Sequence, residues 1–286
     1  MASTTMNVPV ALRIPSFLLL LIGLAPTVSF APPRRAASAP SLRPAHQDHR
    51  FGWNRLYNPS GAKFIVDNFW LSSPQQLLLG DQSAADIPDS SYMSLRNVQF
   101  SDLQEKYGER LTQRKLDALM IAALDEEDEL AGMVTLEVVV MDTQTKELMS
   151  ASTSEFRITQ SVASLGPKQR REFKNAHVID IANELLPPTQ TAVVTLSNLC
   201  VSPTSRRKGI AAQLCGEAER ITRESLGYSA LHLRVESSNE AAKRLYEKLG
   251  YDVVFESVAP VLRVDANAGG FIEIDSETTI MKKELS

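Results

Sequence analysis

One stretch, Val193 to Val254, constrains this chain more than any other part of it. It opens with a strand-like run, Val193 to Val201, in which Val193, Val194, Thr195 and Val201 carry the β-branched character and Pro203 marks the stop. After a short loop comes Arg206-Arg207-Lys208-Gly209-Ile210-Ala211, and then a helix. Its apolar positions Ile210, Leu214, Ala218 and Ile221 recur at helical spacing, and Gly227 stands just past its end. Strand, basic glycine turn and helix together form an anion site. The N–H groups of a first helical turn have no partner inside the helix, and the macrodipole adds partial positive charge there. Gly209 has no Cβ, so backbone can come close to a ligand. Arg206, Arg207 and Lys208 add charge suited to a pyrophosphate. The second half of the stretch repeats the alternation: a strand from Ala230 to Glu236, Asn239, a helix carrying Tyr246, then Gly250-Tyr251.

This order resembles the GNAT superfamily of N-acetyltransferases. The family pattern Gln/Arg-x-x-Gly-x-Gly/Ala is matched by Arg206, Gly209 and Ala211, and the family likewise shows strand, Asn, a helix with Tyr, then Gly-aromatic. The resemblance covers roughly Ser94 to Leu285, with specific motifs only between Val193 and Val254. It implies an α/β (α+β) fold, with a mixed, mostly antiparallel sheet and helices on both faces, and acetyl-CoA as co-substrate. The implied cofactor residues are Arg206, Arg207, Lys208, Gly209, Ile210, Ala211 and Ala212 around the pyrophosphate. Leu199, Cys200 and Val201 would pair with the pantetheine arm through their backbone, where the strand splays from its neighbour. Asn239 reads as an N-cap and, by resemblance, also as a contact to the cofactor arm. Because the family transfers directly within a ternary complex, Cys200 is not expected to carry an acyl group.

Acetyl transfer from a thioester to an amine needs a held carrier, a deprotonated amine, a donor for the developing oxyanion and a proton for the leaving thiolate. Tyr246 is the candidate general acid, about two turns into the helix capped by Asn239. Read from spacing alone it is a core aromatic, since Leu245 and Leu249 mark an adjacent apolar face. The base departs from the family. Relatives acting on protein amino termini often place Glu or His five residues before the Asn, and here that position is Arg234, which cannot accept a proton. His232 and Glu236 share its strand face, and Glu236, nearer the cofactor end, is the candidate base.

Composition is that of an ordinary globular protein, with 43% hydrophobic and 22% charged residues. A formal net charge of −4 does not suggest a general nucleic-acid surface. Neither the two cysteines, Cys200 and Cys215, nor the four histidines, His46, His49, His177 and His232, have metal-ligand spacing, so no metal is expected. Both cysteines read as small buried hydrophobes.

Residues 1–29 read as a signal peptide: Arg13, an apolar core from Phe17 to Leu24 and a small-residue exit to Ser29. Residues 30–50, with Phe30, Arg34, Arg35 and no acid before Asp48, read as a plastid transit-like segment. The pair resembles the bipartite presequence of algae with complex plastids and implies the plastid stroma, reached through the ER; simple secretion or a membrane anchor is the alternative. Residues 51–90 are set apart as an N-terminal extension and 91–286 as the acetyltransferase domain. Within it, Leu95 to Phe100 reads as a first strand and Ser101 onward as helix. Leu116–Leu124 and Leu130–Met141 read as a hairpin around an acidic turn, and Ser152–Gln190 as an insertion with a basic cluster, Lys168, Arg170, Arg171 and Lys174. That cluster reads first as a solvated face.

The run Leu196 to Pro203 with Arg206 to Ala211 looks like plastid GNAT proteins of plants, which act on protein amino termini and lysines. The expected function is therefore acetyl-CoA-dependent acetylation of protein N-terminal or lysine amines, with no nucleic-acid partner and no membrane contact in the mature form. The alternatives are acetylation of a small amine, or a non-catalytic module that binds acyl-CoA. Acceptor specificity and oligomeric state are not legible in the sequence.

Overall fold

The computed structural model describes residues 41–44, 59–72, 76, 87–107, 118–125, 129–173, 176–265 and 268–286. The expected signal peptide, most of the transit-like segment and Lys174 lie outside these residues. One mixed sheet organises the rest. Its strands are β1 (Ser41–Pro44), β2 (Ala118–Leu124), β3 (Leu130–Asp142), β4 (Glu147–Leu148), β5 (Gln190–Val201), β6 (Ala230–Glu236), β7 (Asp252–Asp265) and β8 (Gly270–Glu284). Seven lie side by side in the order β1-β2-β3-β5-β6-β8-β7, and β4 pairs with β3 off that path. Every pairing is antiparallel except β5 with β6. This is the mixed, mostly antiparallel sheet expected.

Among the described residues there are seven α-helices: α1 (Pro59–Ile65), α2 (Asp89–Tyr107), α3 (Ala151–Ala163), α4 (Pro167–Glu172), α5 (Val178–Leu185), α6 (Ile210–Glu224) and α7 (Glu240–Lys248). A π-helical turn, Val66–Trp70, continues α1. In α6, Ile210, Leu214, Ala218 and Ile221 are all buried, as their spacing requires. The start of α6 lies tight on β3, because Gly132 leaves room for it. A Cβ at Gly132 would stand 3.0 Å from Ile210 Cγ2, 3.1 Å from Leu214 Cδ1 and 3.2 Å from the Cys200 carbonyl oxygen.

Two sequence expectations change here, and two segments that the sequence left open take shape. Leu95 to Phe100 is not a strand but the middle of α2. Its buried line is Ser91, Leu95, Gln99 and Leu103, four residues apart, which is a helical repeat. Residues 59–70, in the N-terminal extension whose packing the sequence does not decide, lie against the domain. Ala62, Ile65, Val66 and Trp70 join the core, Trp70 Nε1 donates to Gln99 Oε1 at 2.9 Å, and the Trp70 ring sits 4.7 Å from that of Phe271. Part of the transit-like segment is also structural, since β1 adds to the sheet edge through Ser41↔Leu124 to Pro44↔Ile121. Finally, the insertion is helical. Ser150 caps α3 by accepting from the Thr153 N–H at 3.1 Å, and Ser154 and Ile158 face inward. Lys168, Arg170 and Arg171 are exposed on α4, as a solvated face would be.

Candidate active site

The site begins where β5 and β6 part. Their parallel register consists of Val194↔Leu231, Thr195↔His232 and Leu196↔Leu233. Beyond it β5 runs on to Val201 and β6 to Glu236 without pairing to each other. A bulge in β5 accompanies the parting. On β3 the step from Thr135 to Met133 is two residues, but on β5 the matching step from Ser197 to Cys200 is three. Asn198, inside the bulge, has φ +52°, a left-handed backbone that Asn tolerates better than most residues. The Ser202 N–H bonds the Ala131 carbonyl of β3 at 2.9 Å. By strand alternation the main-chain groups of Leu199 and Val201 therefore point the other way, toward the gap left by β6. Of the three residues expected to meet a pantetheine arm, Leu199 and Val201 thus offer main chain to the gap, whereas Cys200 turns its main chain toward Met133 of β3.

The turn after β5 follows directly. Arg206 Nε donates to the Val201 carbonyl at 3.2 Å, tying the basic turn to the strand end. Arg207 has φ +64° and Gly209 φ +81°. Gly209 is the N-cap of α6 and makes no side-chain cap. The first main-chain bond of the helix runs from the Gln213 N–H to the Gly209 carbonyl at 3.1 Å, which leaves the amides of Ile210, Ala211 and Ala212 for a ligand. A Cβ on Gly209 would meet nothing within 4 Å, so the space above the turn is open. Arg206, Arg207, Lys208 and Gly209 are all exposed there. Uncapped amides, a positive helix end, three cations and open space fit a pyrophosphate.

Tyr246 is carried by α7 and is buried beside the middle of α6. The Asn239 side chain caps that helix by accepting from the Ala242 N–H at 3.1 Å. Tyr246 packs edge-on to Tyr251, ring centroids 5.7 Å apart, and lies beside Cys215 of α6. Cys215 stands six residues after Gly209, roughly 9 Å along the helix axis. Burial, and secondarily Cys215, hold the Tyr246 hydroxyl well above its ordinary pKa. It is therefore protonated at neutral pH, and as an acid it is weaker than a free tyrosine. It makes no hydrogen bond to another described residue.

The sequence model described as Acetyltransferase (GNAT) family matches residues 85–251, more than half of the chain. The chain belongs to the GNAT acetyltransferase family. It is thus an acetyl-CoA-dependent N-acetyltransferase, and acetyl-CoA is its co-substrate. No curated protein matches it. Among solved structures it is similar to nourseothricin acetyltransferase, at 17% identity over 59% of this chain and 66% of that one, TM-score 0.34. A mutant of the spermidine N-acetyltransferase SpeG from Vibrio cholerae gives 13% identity over 80% of this chain and 91% of that one, TM-score 0.42. Arabidopsis thaliana NAA60 in complex with a bisubstrate analogue gives 17% identity over 70% of this chain and 96% of that one, TM-score 0.38.

For a GNAT acetyltransferase the remaining question is the base, and here the structure alters the picture drawn from sequence. Glu236 does stand at the gap end of β6, but its carboxylate is already occupied. Arg263 of β7 engages both oxygens, one through Nη1 at 3.1 Å and the other through Nη2, and Ser276 Oγ donates to Oε2 at 3.3 Å. Both partners of the ion pair are largely buried, with 9% and 16% of their side-chain surface exposed. A carboxylate held this way is an anchor for the β7–β8 ribbon before it is a proton acceptor. Arg263 carries no motif and lies 27 residues away in sequence, so only the fold reveals the pair.

The two other residues on that strand face are no better placed. Arg234 donates through Nη2 to the Leu148 carbonyl of β4, and burial lowers its pKa to about 10, which leaves it charged at neutral pH. Burial, with Lys282 adding to it, lowers His232 to about 4, and its Nδ1 has no hydrogen-bond partner among the described residues. His232 is thus neutral and sits in the still-paired part of the β5–β6 seam. Cys200 is pushed up to about 12 by burial, so no thiolate is available there at neutral pH. Cys215 is likewise raised to about 12 by burial, with Glu219 adding to it.

Proposed function

We propose that this enzyme acetylates protein amines, at amino termini or lysines, in the plastid stroma. The observation that carries the acceptor class is the β7–β8 ribbon. β6 stops at Glu236↔Thr278, while β8 continues past that point to Gly270 with β7 alongside. Eight further residues span about 27 Å of extended chain beside the mouth of the gap. Along this length Glu273, Asp275 and Glu277 recur at alternate positions on one ribbon face, exposed. An extended acidic wall suits a cationic polypeptide, which can span several carboxylates, better than it suits a compact monoamine. The run Leu196 to Ala211, similar to plastid members of the family, supports the same reading.

The test is release of free thiol from acetyl-CoA with a peptide library on one side and a panel of small amines on the other. Turnover confined to small amines would remove the protein-substrate reading. For the compartment, residues 1–50 fused to a fluorescent protein should label the stroma of a complex-plastid alga, and Phe30→Ala should stop the label before the inner envelope. Secretion of the unmutated fusion would remove the plastid assignment.

A further inference from the structure

The parting of β5 from β6 has to be held open in the right place, and one hydrogen-bonded chain does this. Asn198 Nδ2 donates to Thr135 Oγ1 at 3.0 Å, and Thr135 Oγ1 donates to the Ser197 carbonyl at 3.1 Å. Thr135 is completely buried, on the neighbouring strand β3, and pairs with Ser197 at the foot of the bulge. The hydroxyl therefore serves two bonds at once: it accepts from the residue in left-handed backbone and donates to the carbonyl just before it. A hydroxyl has one proton and two lone pairs, so this use is chemically complete. Any apolar side chain at 135 would leave both the Ser197 carbonyl and the Asn198 amide without these partners.

We propose that Thr135 and Asn198 are positioning residues for acetyl transfer: together they fix the kink that turns the Leu199 main chain into the gap, where it meets the thioester carbonyl. The kink lies between the last β5–β6 pair, at Leu196, and the first free edge residue, Leu199. The left-handed φ of +52° at Asn198 is one that Asn tolerates but seldom adopts, and the side-chain bond to Thr135 holds it there. The main-chain edge beyond the kink is directed away from β3 by the Ser202–Ala131 bond. A bulge of this kind re-aims the groups that follow it, and a donor misplaced by a fraction of an ångström no longer polarises a carbonyl.

The phosphate turn at Gly209 is not part of this chain, so carrier affinity and carbonyl position should separate. Thr135→Val keeps the volume and deletes the hydroxyl; Thr135→Ser keeps the hydroxyl. Asn198→Gly deletes the amide while adopting the left-handed backbone without strain, and it decides the question should the valine variant not fold. The measurement is isotope-edited infrared spectroscopy of acetyl-CoA labelled with carbon-13 at its carbonyl, bound to the full-length protein, with calorimetry for affinity. Wild type and Thr135→Ser should show a thioester band shifted to lower frequency than in water. In Thr135→Val and Asn198→Gly the band should return toward its solution position while the Kd stays within about threefold. kcat should fall about 10²-fold in both, as for loss of one preorganised donor, and the double variant should lose no more than either alone. A wild-type band at the solution position would overturn the proposal. So would a valine or glycine variant with the wild-type band, or a serine variant that loses the band as the valine variant does.

Discussion

Replacing Glu236 by Gln separates two roles that its position allows. The carboxylate neutralises a guanidinium with only 9% of its side-chain surface exposed, and it accepts from Ser276 as well. Breaking a buried pair by removing one charge costs about 3–5 kcal/mol, because the survivor stays desolvated and uncompensated. Gln retains one acceptor oxygen, so the lower end, about 3 kcal/mol, is the expected loss. For a chain of this length each kcal/mol lowers Tm by about 2 °C, which gives a fall of about 6 °C for Glu236→Gln. The double variant Glu236→Gln with Arg263→Met removes both charges and should regain most of that loss. Thermal unfolding followed by circular dichroism reads all three proteins. A working general base would behave differently: kcat would fall about 10²- to 10⁴-fold in Glu236→Gln with Tm unmoved. An unchanged Tm together with a collapsed kcat would refute the anchoring argument and return Glu236 to the chemistry.

Further outcomes follow from the same geometry. Gly209→Glu should abolish acetyl-CoA binding by calorimetry, since it forces a side chain into left-handed backbone and sets a carboxylate over the uncapped amides of α6; unchanged affinity would contradict the phosphate-turn assignment. Tyr246→Phe should lower kcat by about 10²-fold or more with little change in KM for acetyl-CoA, because packing survives and only the proton donor is lost; an unchanged kcat where chemistry limits the rate would leave Tyr246 as a core aromatic. His232 gives a pH signature. Its folded pKa of about 4 lies below the unfolded value, so the unfolded chain takes up a proton first as pH falls. Stability present above about pH 6.5 should therefore be lost progressively down to about pH 4, by up to about 3 kcal/mol, and His232→Asn should flatten that part of the denaturant-midpoint curve.

The parts of this molecule that were legible in sequence are those whose determinants are neighbours in sequence. The β5 strand, the turn at Gly209, the buried line of α6 and the Asn239 cap each need only a few consecutive residues, and each is found where the pattern places it. The hairpin of β2 and β3 was legible for the same reason. In α2 the part from Ser101 on was legible as helix, but Asp89 to Phe100 was not, because its buried line contains Ser91 and Gln99. Gln99 is buried to satisfy the indole of Trp70, a partner 29 residues away, and a polar residue in that line erases the helical repeat while Leu95, Val98 and Phe100 imitate a strand. α3 was hidden by a Ser/Thr-rich composition with weak helix propensity, and it depends on its cap and on Ile158 against the core. The occupant of Glu236 and the partner of Asn198 come from β7 and β3, and no local pattern announces a contact made across strands.

The short seam between β5 and β6 also has a mechanical meaning. Two plates, β1 to β5 and β6 to β8, are riveted within the sheet at three positions, and the rest of their shared border carries no strand-to-strand bonds. A ligand lying along that border acts as a replacement strand and closes the sheet. Loading should therefore stiffen the protein far from the reacting atoms, and slow amide exchange at Leu199 and Val201 would report an occupied enzyme before any product is made.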